Sequence, residues 1–255
     1  MQRSVHLAIH PIAIAHTPFS EKFSIPRQPG LAPAAIAKIE LLPPYDDPLA
    51  FEGLDQVSHV WLLFHFHGVP SAQSDTRLRV RPPRLGGNEK IGVFASRSTH
   101  RPNGIGQSLV KVERIEGSCL WVSGVDLLNG TPIIDIKPYV PYADCLASAY
   151  NHIAPDTPAL IEVNWCESAL HAANQQAQRL QQEVIALIEQ CLAQDPRPAY
   201  QKHQPEREYG AQFWDINVRW RYPTATSIEV IKVTQVSPSQ VDSSHVNSEH
   251  GNDGK

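Results

Sequence analysis

The chain has 255 residues, of which 42% are hydrophobic and 19% charged, and its formal net charge is −4. That length allows one large barrel or two small domains with a sizeable core, and the composition excludes a disordered chain. Cys119, Cys145, Cys166 and Cys191 show no CxxC spacing, no apolar run reaches membrane length, and the N-terminus lacks a basic-then-apolar leader, so a soluble cytoplasmic protein without a zinc or disulfide framework is expected.

In chain order, the first 140 or so residues carry short β patterns separated by turns. Residues 5–16 (VHLAIHPIAIAH) hold a strand-length segment, with Pro11 marking an edge or bulge. Residues 35–42 form another, and 59–67 (HVWLLFHFH) are apolar on both faces, as in a central strand. Residues 91–95, 108–115, 119–125 and 133–136 continue the series. Turn residues punctuate it at Pro43-Pro44, Gly86-Gly87-Asn88, Glu116-Gly117-Ser118 and Asn129-Gly130. Many short strands with such punctuation predict a barrel or sandwich.

After residue 164 the character changes. Residues 168–193 read as one long helix, with Leu180, Val184, Leu187, Ile188 and Cys191 on a packing stripe. The two prolines of DPRPAY (195–200) end it, and residues 213–222 and 227–233 alternate like paired strands. From 237 to 255 almost nothing is apolar, which predicts a disordered tail. The expected fold is mainly β: a single-sheeted barrel over 1–163 and a smaller α+β domain over 164–236.

Charge distribution says more than its sum. From Arg77 to Arg114 there are nine basic residues and two acids, a basic block in an acidic protein that suits either a solvated face or an anionic ligand. Inside it, residues 81–106 gather Arg81, Arg84, Arg97 and Arg101 with three prolines and several glycines. Prolines stiffen a loop, glycines let backbone approach a ligand, and guanidinium forks bind planar anions; together they point to a shaped binding loop. The glycines match neither a GxGxxG turn nor a P-loop, so a Rossmann nucleotide site is disfavoured. His59, His65 and His67 share parity on one strand, but no neighbouring Cys or Glu-x-x-His completes a metal set; packing or a polar lumen is the expected role.

Five blocks then carry a resemblance: EKFSIPRQPG (21–30), RPPRLGGN (81–88), GVFASRSTHRPNGIGQS (92–108), NGTPIIDIKPY (129–139) and DPRPAY (195–200). In this order, from about residue 9 to 233, they resemble the TrmO family, also called YaeB-like. The resemblance implies a homodimeric β-barrel enzyme that binds S-adenosylmethionine without a Rossmann fold. It further implies methylation of the exocyclic nitrogen of threonylcarbamoyladenosine, just 3′ of the tRNA anticodon. By matched position the cofactor contacts are Pro26, Arg27, Gln28, His67, Gly68, Arg97, Ser108, Leu109, Leu128, Asn129, Gly130 and Thr131. The implied tRNA-facing residues are Asp195, Arg197 and Tyr200; Arg84 and Arg101 are expected to hold tRNA phosphates, and the expected catalytic residues are Asp135 and Lys137. Two positions depart from the family: Gly104 replaces proline, which should loosen its loop, and Asn129 replaces aspartate, keeping the turn but losing charge.

Methyl transfer needs orientation, a dry site and a proton acceptor; Asp135, His67 and Asp126 are candidate bases, and the sequence does not choose. Tyr139, Tyr200 and Trp214 are candidate stacking platforms for splayed bases. The rival readings are a non-catalytic RNA-binding barrel and a metal-dependent hydrolase built on the three histidines.

Overall fold

The computed structural model describes residues 7–69, 78–81, 90–197 and 203–236. Its strands are β1 (Ala13–His16), β2 (Ile36–Leu41), β3 (His59–His65), β4 (Arg79–Val80), β5 (Ile91–Gly92), β6 (Ile105–Glu116), β7 (Cys119–Ser123), β8 (Thr131–Pro138), β9 (Glu162–Trp165), β10 (Tyr209–Phe213), β11 (Ile216–Thr224) and β12 (Ser227–Gln235). The helices are α1 (Pro141–Asp144), α2 (Glu167–Leu180) and α3 (Val184–Leu192). Six strands close a barrel in the order β1-β2-β7-β6-β3-β8, every neighbour antiparallel. Closure leaves no open sheet edge.

Period-two alternation fills the barrel. Val60, Leu62 and Phe64 of β3 point in, as do Ile39, Val110, Leu120, Val122 and Ile133 from its neighbours, all buried. A Leu62→Ala change would remove about 2–5 kcal/mol from this core. Of the two roles expected for the histidines, the alternation removes the polar lumen: His59 and His65 occupy the outward parity of β3, where His59 packs against Tyr139, and the inward residues of β3 are apolar. A bulge between Leu63 and Phe64 opposite β8 turns Ile136 inward against Leu62, so Asp135 and Lys137 face out.

The C-terminal unit is a sheet of order β10-β11-β12-β9, with β9 parallel to β12 and α2 packed on β12. β9 straddles the boundary expected at 163/164 and already hydrogen-bonds into this sheet. The single helix expected over 168–193 is two: Gln181 takes a left-handed φ of 52° and caps α2, after which α3 buries Val184, Leu187, Ile188, Cys191 and Leu192. The strand expected at 213–222 starts later, at Ile216: Phe213 ends β10, and the chain turns at Trp214 and Asp215. Trp214 N donates to Pro18 O, Phe19 bridges Phe213, and Gln190 and Gln194 reach Ala34 and Leu31, joining sheet and barrel in one continuous core. Among the described residues no helix is long and apolar enough to cross a membrane.

Candidate functional site

Antiparallel closure brings to one rim the C-terminal ends of β1, β3 and β7 and the N-terminal ends of β2, β6 and β8. The segments leaving that rim are 17–35, 66–69, 93–104 and 124–130, and they contain most of the residues singled out in the sequence. The first and last are held together by main chain. Gly30 N donates to Gly124 O at 2.8 Å, and Gly124 has φ +75°. A Cβ at Gly124 would lie 3.2 Å from Gly30 Cα, so glycine is required for this approach.

Two polar clusters stand on the rim. In one, Arg97 Nη1 donates to Gln28 Oε1 at 2.6 Å, and the buried Ser108 hydroxyl donates to Asp126 Oδ1 at 2.5 Å. Burial of Asp126 raises its pKa to about 6, with Ser108 and the charge of Arg97 pulling the other way. In the other, His67 Nδ1 lies 3.3 Å from Thr131 Oγ1, which also donates to Leu128 O at 2.6 Å. Burial pushes the His67 pKa down; the Asn129 main-chain oxygen opposes that, and His65 and Lys22 add to it. Lys22 donates through Nζ to Gly68 O, and a Cβ on Gly68 would sit 2.8 Å from Leu128 Cδ2. Asn129 Oδ1 accepts from Thr17 N at 3.0 Å, while its own N–H donates to Phe19 O: a turn lock between β1 and the 124–130 segment. Arg101 is fastened to its own loop, donating from Nη1 to Ser96 O at 3.0 Å.

The structure therefore gathers Gln28, His67, Gly68, Arg97, Ser108 and the 128–131 turn at one rim, with Pro26 buried and Arg27 half-buried in the adjoining segment. Leu109 lies on the outward parity of β6, opposite in direction to Ser108. Asp135 and Lys137 form a 2.7 Å ion pair on the outer face of β8, so the structure does not join them to the rim cluster. Tyr139 N donates to His59 O, and its ring packs near Trp61 and His59, towards the opposite end of the barrel. Asp195 and Arg197 form a fork, Nε to Oδ1 at 2.9 Å and Nη2 to Oδ2 at 2.8 Å. Arg197 also donates to Ala225 O and stacks 3.8 Å over Tyr222, whose hydroxyl donates to Asp195. That arginine is consumed inside its own domain rather than presented to a ligand. Arg84 and Tyr200 lie outside the described residues.

Sequence reasoning missed Thr17 and Lys22. Lys22 stands in the first of the five blocks and was legible there; nothing in the sequence marks Thr17, whose partner is 112 residues away. The basic block is also quieter than its sum, since Lys111 pairs with Glu113 and Arg114 with Glu116.

Comparison with known proteins places the chain clearly. The family model described as the tRNA-methyltransferase O N-terminal domain matches residues 14–145, and that of the TrmO C-terminal domain matches 158–236. A Pseudomonas aeruginosa protein named putative S-adenosylmethionine-dependent methyltransferase RcsF is 58% identical over 226 residues, 89% of this chain and 97% of that one. The Escherichia coli K12 tRNA (adenine(37)-N6)-methyltransferase is 40% identical over 219 residues, covering 84% and 92%. The crystal structure of TrmO from Pseudomonas aeruginosa superposes with a TM-score of 0.78 at 50% identity, covering 90% of this chain and 99% of the other.

Proposed function

The chain belongs to the tRNA-methyltransferase O family, and from that premise we propose that it is a tRNA (adenine-N6) methyltransferase that uses S-adenosylmethionine and acts on threonylcarbamoyladenosine just 3′ of the anticodon. The observation that carries this reading is the convergence, on one barrel rim, of the Gln28–Arg97 and Ser108–Asp126 pairs with His67 and the 128–131 turn.

The donor set fits the cofactor. Its amino-acid end needs a cation for the carboxylate, which Arg97 offers, and its nucleoside needs main-chain and hydroxyl partners, which the segments around Pro26, Arg27, Gln28 and Gly68 and the turn at Leu128, Asn129, Gly130 and Thr131 provide. A His67 held towards its neutral form adds no charge beside a sulfonium. Ser108 and Leu109 would border the site from β6. When bound, S-adenosylmethionine supplies an electrophilic methyl group; the protein supplies orientation and exclusion of water above an apolar lumen.

For the tRNA, Arg101 at the rim and Arg84 are the phosphate-holding candidates. Lys137, on the outer face beside Asp135, suits a phosphate or the threonyl carboxylate better than a bond-making role. Asp195 and Arg197 serve tRNA by fixing the shape of the C-terminal unit through the Asp195–Arg197–Tyr222 network, and Tyr200 is a candidate tRNA contact. The enzyme works as a homodimer in the cytoplasm. The residues between barrel and C-terminal sheet support the dimer: Tyr142, Leu146, Tyr150 and Leu160 are 91%, 70%, 80% and 69% exposed, an apolar surface that suits a second copy.

Calorimetric titration with S-adenosylmethionine, followed by methylation of tRNA with and without the threonylcarbamoyl group, tests the proposal. Saturable binding and transfer only to the modified tRNA are expected. A folded protein that binds tRNA but not the cofactor would instead be a non-catalytic RNA-binding barrel.

A further inference from the structure

Resting on the methyltransferase reading, we infer that the Asp126 carboxylate is the proton acceptor of the reaction, taking the N6 proton while Ser108 holds it at the rim.

Transfer to N6 must be balanced. N6 contributes the electron pair of the new N–C bond, and the pair of the breaking C–S bond leaves with sulfur. The N6 proton ends on the Asp126 carboxylate as a neutral carboxylic acid and then passes to solvent. The carbamoyl substituent already acidifies that nitrogen, so the acceptor need only be deprotonated at working pH, within reach and shielded from bulk water.

Three groups compete for the role, and position decides among them. Asp135 is on the outer face of β8 and paired with Lys137 at 2.7 Å. His67 is at the rim, but its ring is engaged by the Thr131 hydroxyl and the Asn129 main-chain oxygen, and burial weakens it as a base. Asp126 lies between buried Val125 and Leu127 and remains half-buried itself, at the mouth of the lumen. One oxygen is fixed by Ser108, a residue 1% exposed on the inward face of β6. Arg97, tethered to Gln28, is the charged group acting on it, and the surrounding segments also bring His65, His67, Lys22, Arg27 and Arg101 to this rim. A carboxyl titrating at about 6 is ionised at neutral pH, yet a far better base than an exposed aspartate.

The test uses the full-length protein and the conservative Asp126→Asn variant, which keeps an acceptor for Ser108. Single-turnover methylation is followed from pH 5 to 9, with cofactor affinity by calorimetry and the Asp126 carboxylate titration by carbon-detected NMR in the cofactor-free protein. The wild-type rate should climb through pH about 6 and level off. Asp126→Asn should lose that limb and fall on the order of 100-fold at the plateau, with cofactor Kd and the KM for tRNA changed by no more than about threefold. The NMR titration should fall near the same pH.

A variant that keeps pace with wild type overturns the inference. So does a loss explained wholly by weaker cofactor binding, which makes Asp126 an anchor, or an acid limb that persists in Asp126→Asn and vanishes in His67→Gln. Wild-type protein that methylates no tRNA sinks the functional reading itself, whereas active wild type beside an unimpaired variant sinks only this inference.

Discussion

Two arginines in the chain stand in equally suggestive sequence blocks, Arg97 in GVFASRSTHRPNGIGQS and Arg197 in DPRPAY, and the fold uses them in opposite ways. Arg197 has a side chain only 11% exposed, with its guanidinium divided among Asp195, Ala225 O and the face of Tyr222. Arg97 is exposed and, among the described residues, donates to one neutral partner, Gln28, beside a carboxylate that burial keeps protonatable. A satisfied arginine is architecture, whereas an arginine with donors to spare at a converging rim is available to a ligand. Residue type and spacing look alike in both; only the partner count separates them.

Breaking the closed site should have the larger effect. Arg197→Ala removes the cation of a mostly buried pair and leaves Asp195 without its charge partner, although its folded pKa now lies below its ordinary value because Arg197 and Tyr222 bond to it against the pull of burial. A loss of about 2–4 kcal/mol is expected, visible as a Tm lower by several degrees. Cofactor affinity per folded molecule should be unchanged. Retained stability with impaired tRNA binding would reverse the assignment and make Arg197 a ligand-facing residue after all.

Breaking the open site should do the converse. Arg97→Ala should weaken S-adenosylmethionine binding by about 10- to 100-fold, the value of one or two charge-assisted hydrogen bonds. Thermal stability should scarcely move, because Gln28 is not buried and can turn to water. Calorimetry and a melting curve on the same sample decide it.

How far this contrast could be foreseen depends on the range of the interactions. The barrel was legible because period-two alternation is local: β2, β3 and β7 lie within two residues of their expected positions. Interruptions without Gly or Pro were not, and Gln181, which splits the expected helix with a left-handed φ, carries no breaker signal. The loosening expected at Gly104 is not what the fold does. Gly104 has φ +58°, its N–H donates to Arg101 O and its carbonyl accepts from Phe66, a defined turn that a proline, fixed near −65°, could not adopt. Asp126 was one of three open choices for the base because burial, which separates it from Asp135, is a property of the closed barrel and not of either local sequence.

An open site also costs the fold. A carboxyl whose folded pKa, about 6, exceeds its ordinary value near 3.8 disfavours the folded state once it is ionised. The penalty is fully present above pH 6 and disappears as pH falls below 4. Asp126→Asn should therefore stabilise the protein by about 1–2 kcal/mol at pH 8, allowing for partial exposure, and have no such effect at pH 4. Melting curves at the two pH values check the sign; a lower Tm at pH 8 would mean the Ser108 hydrogen bond and the Arg97 charge outweigh desolvation.

The smallest expected effect sharpens the rim alone. Asn129 Oδ1 accepts from Thr17 N, a bond that aspartate could keep, so Asn129→Asp should change stability by less than about 0.5 kcal/mol. What it adds is a negative charge one residue from Gly130, whose Cα carries no side chain to screen the His67 ring: a Cβ there would come within 3.9 Å of His67 Nε2. An opposite charge nearby favours imidazolium, so the His67 pKa, which burial holds down, should move back up. Proton NMR titration of His67 in the two proteins measures this directly. A rise would show that asparagine at 129, together with burial, holds His67 towards its neutral form, and with it a rim tuned to receive a cation. An unmoved titration would show that burial alone sets the ring's charge, and that the asparagine serves only the turn.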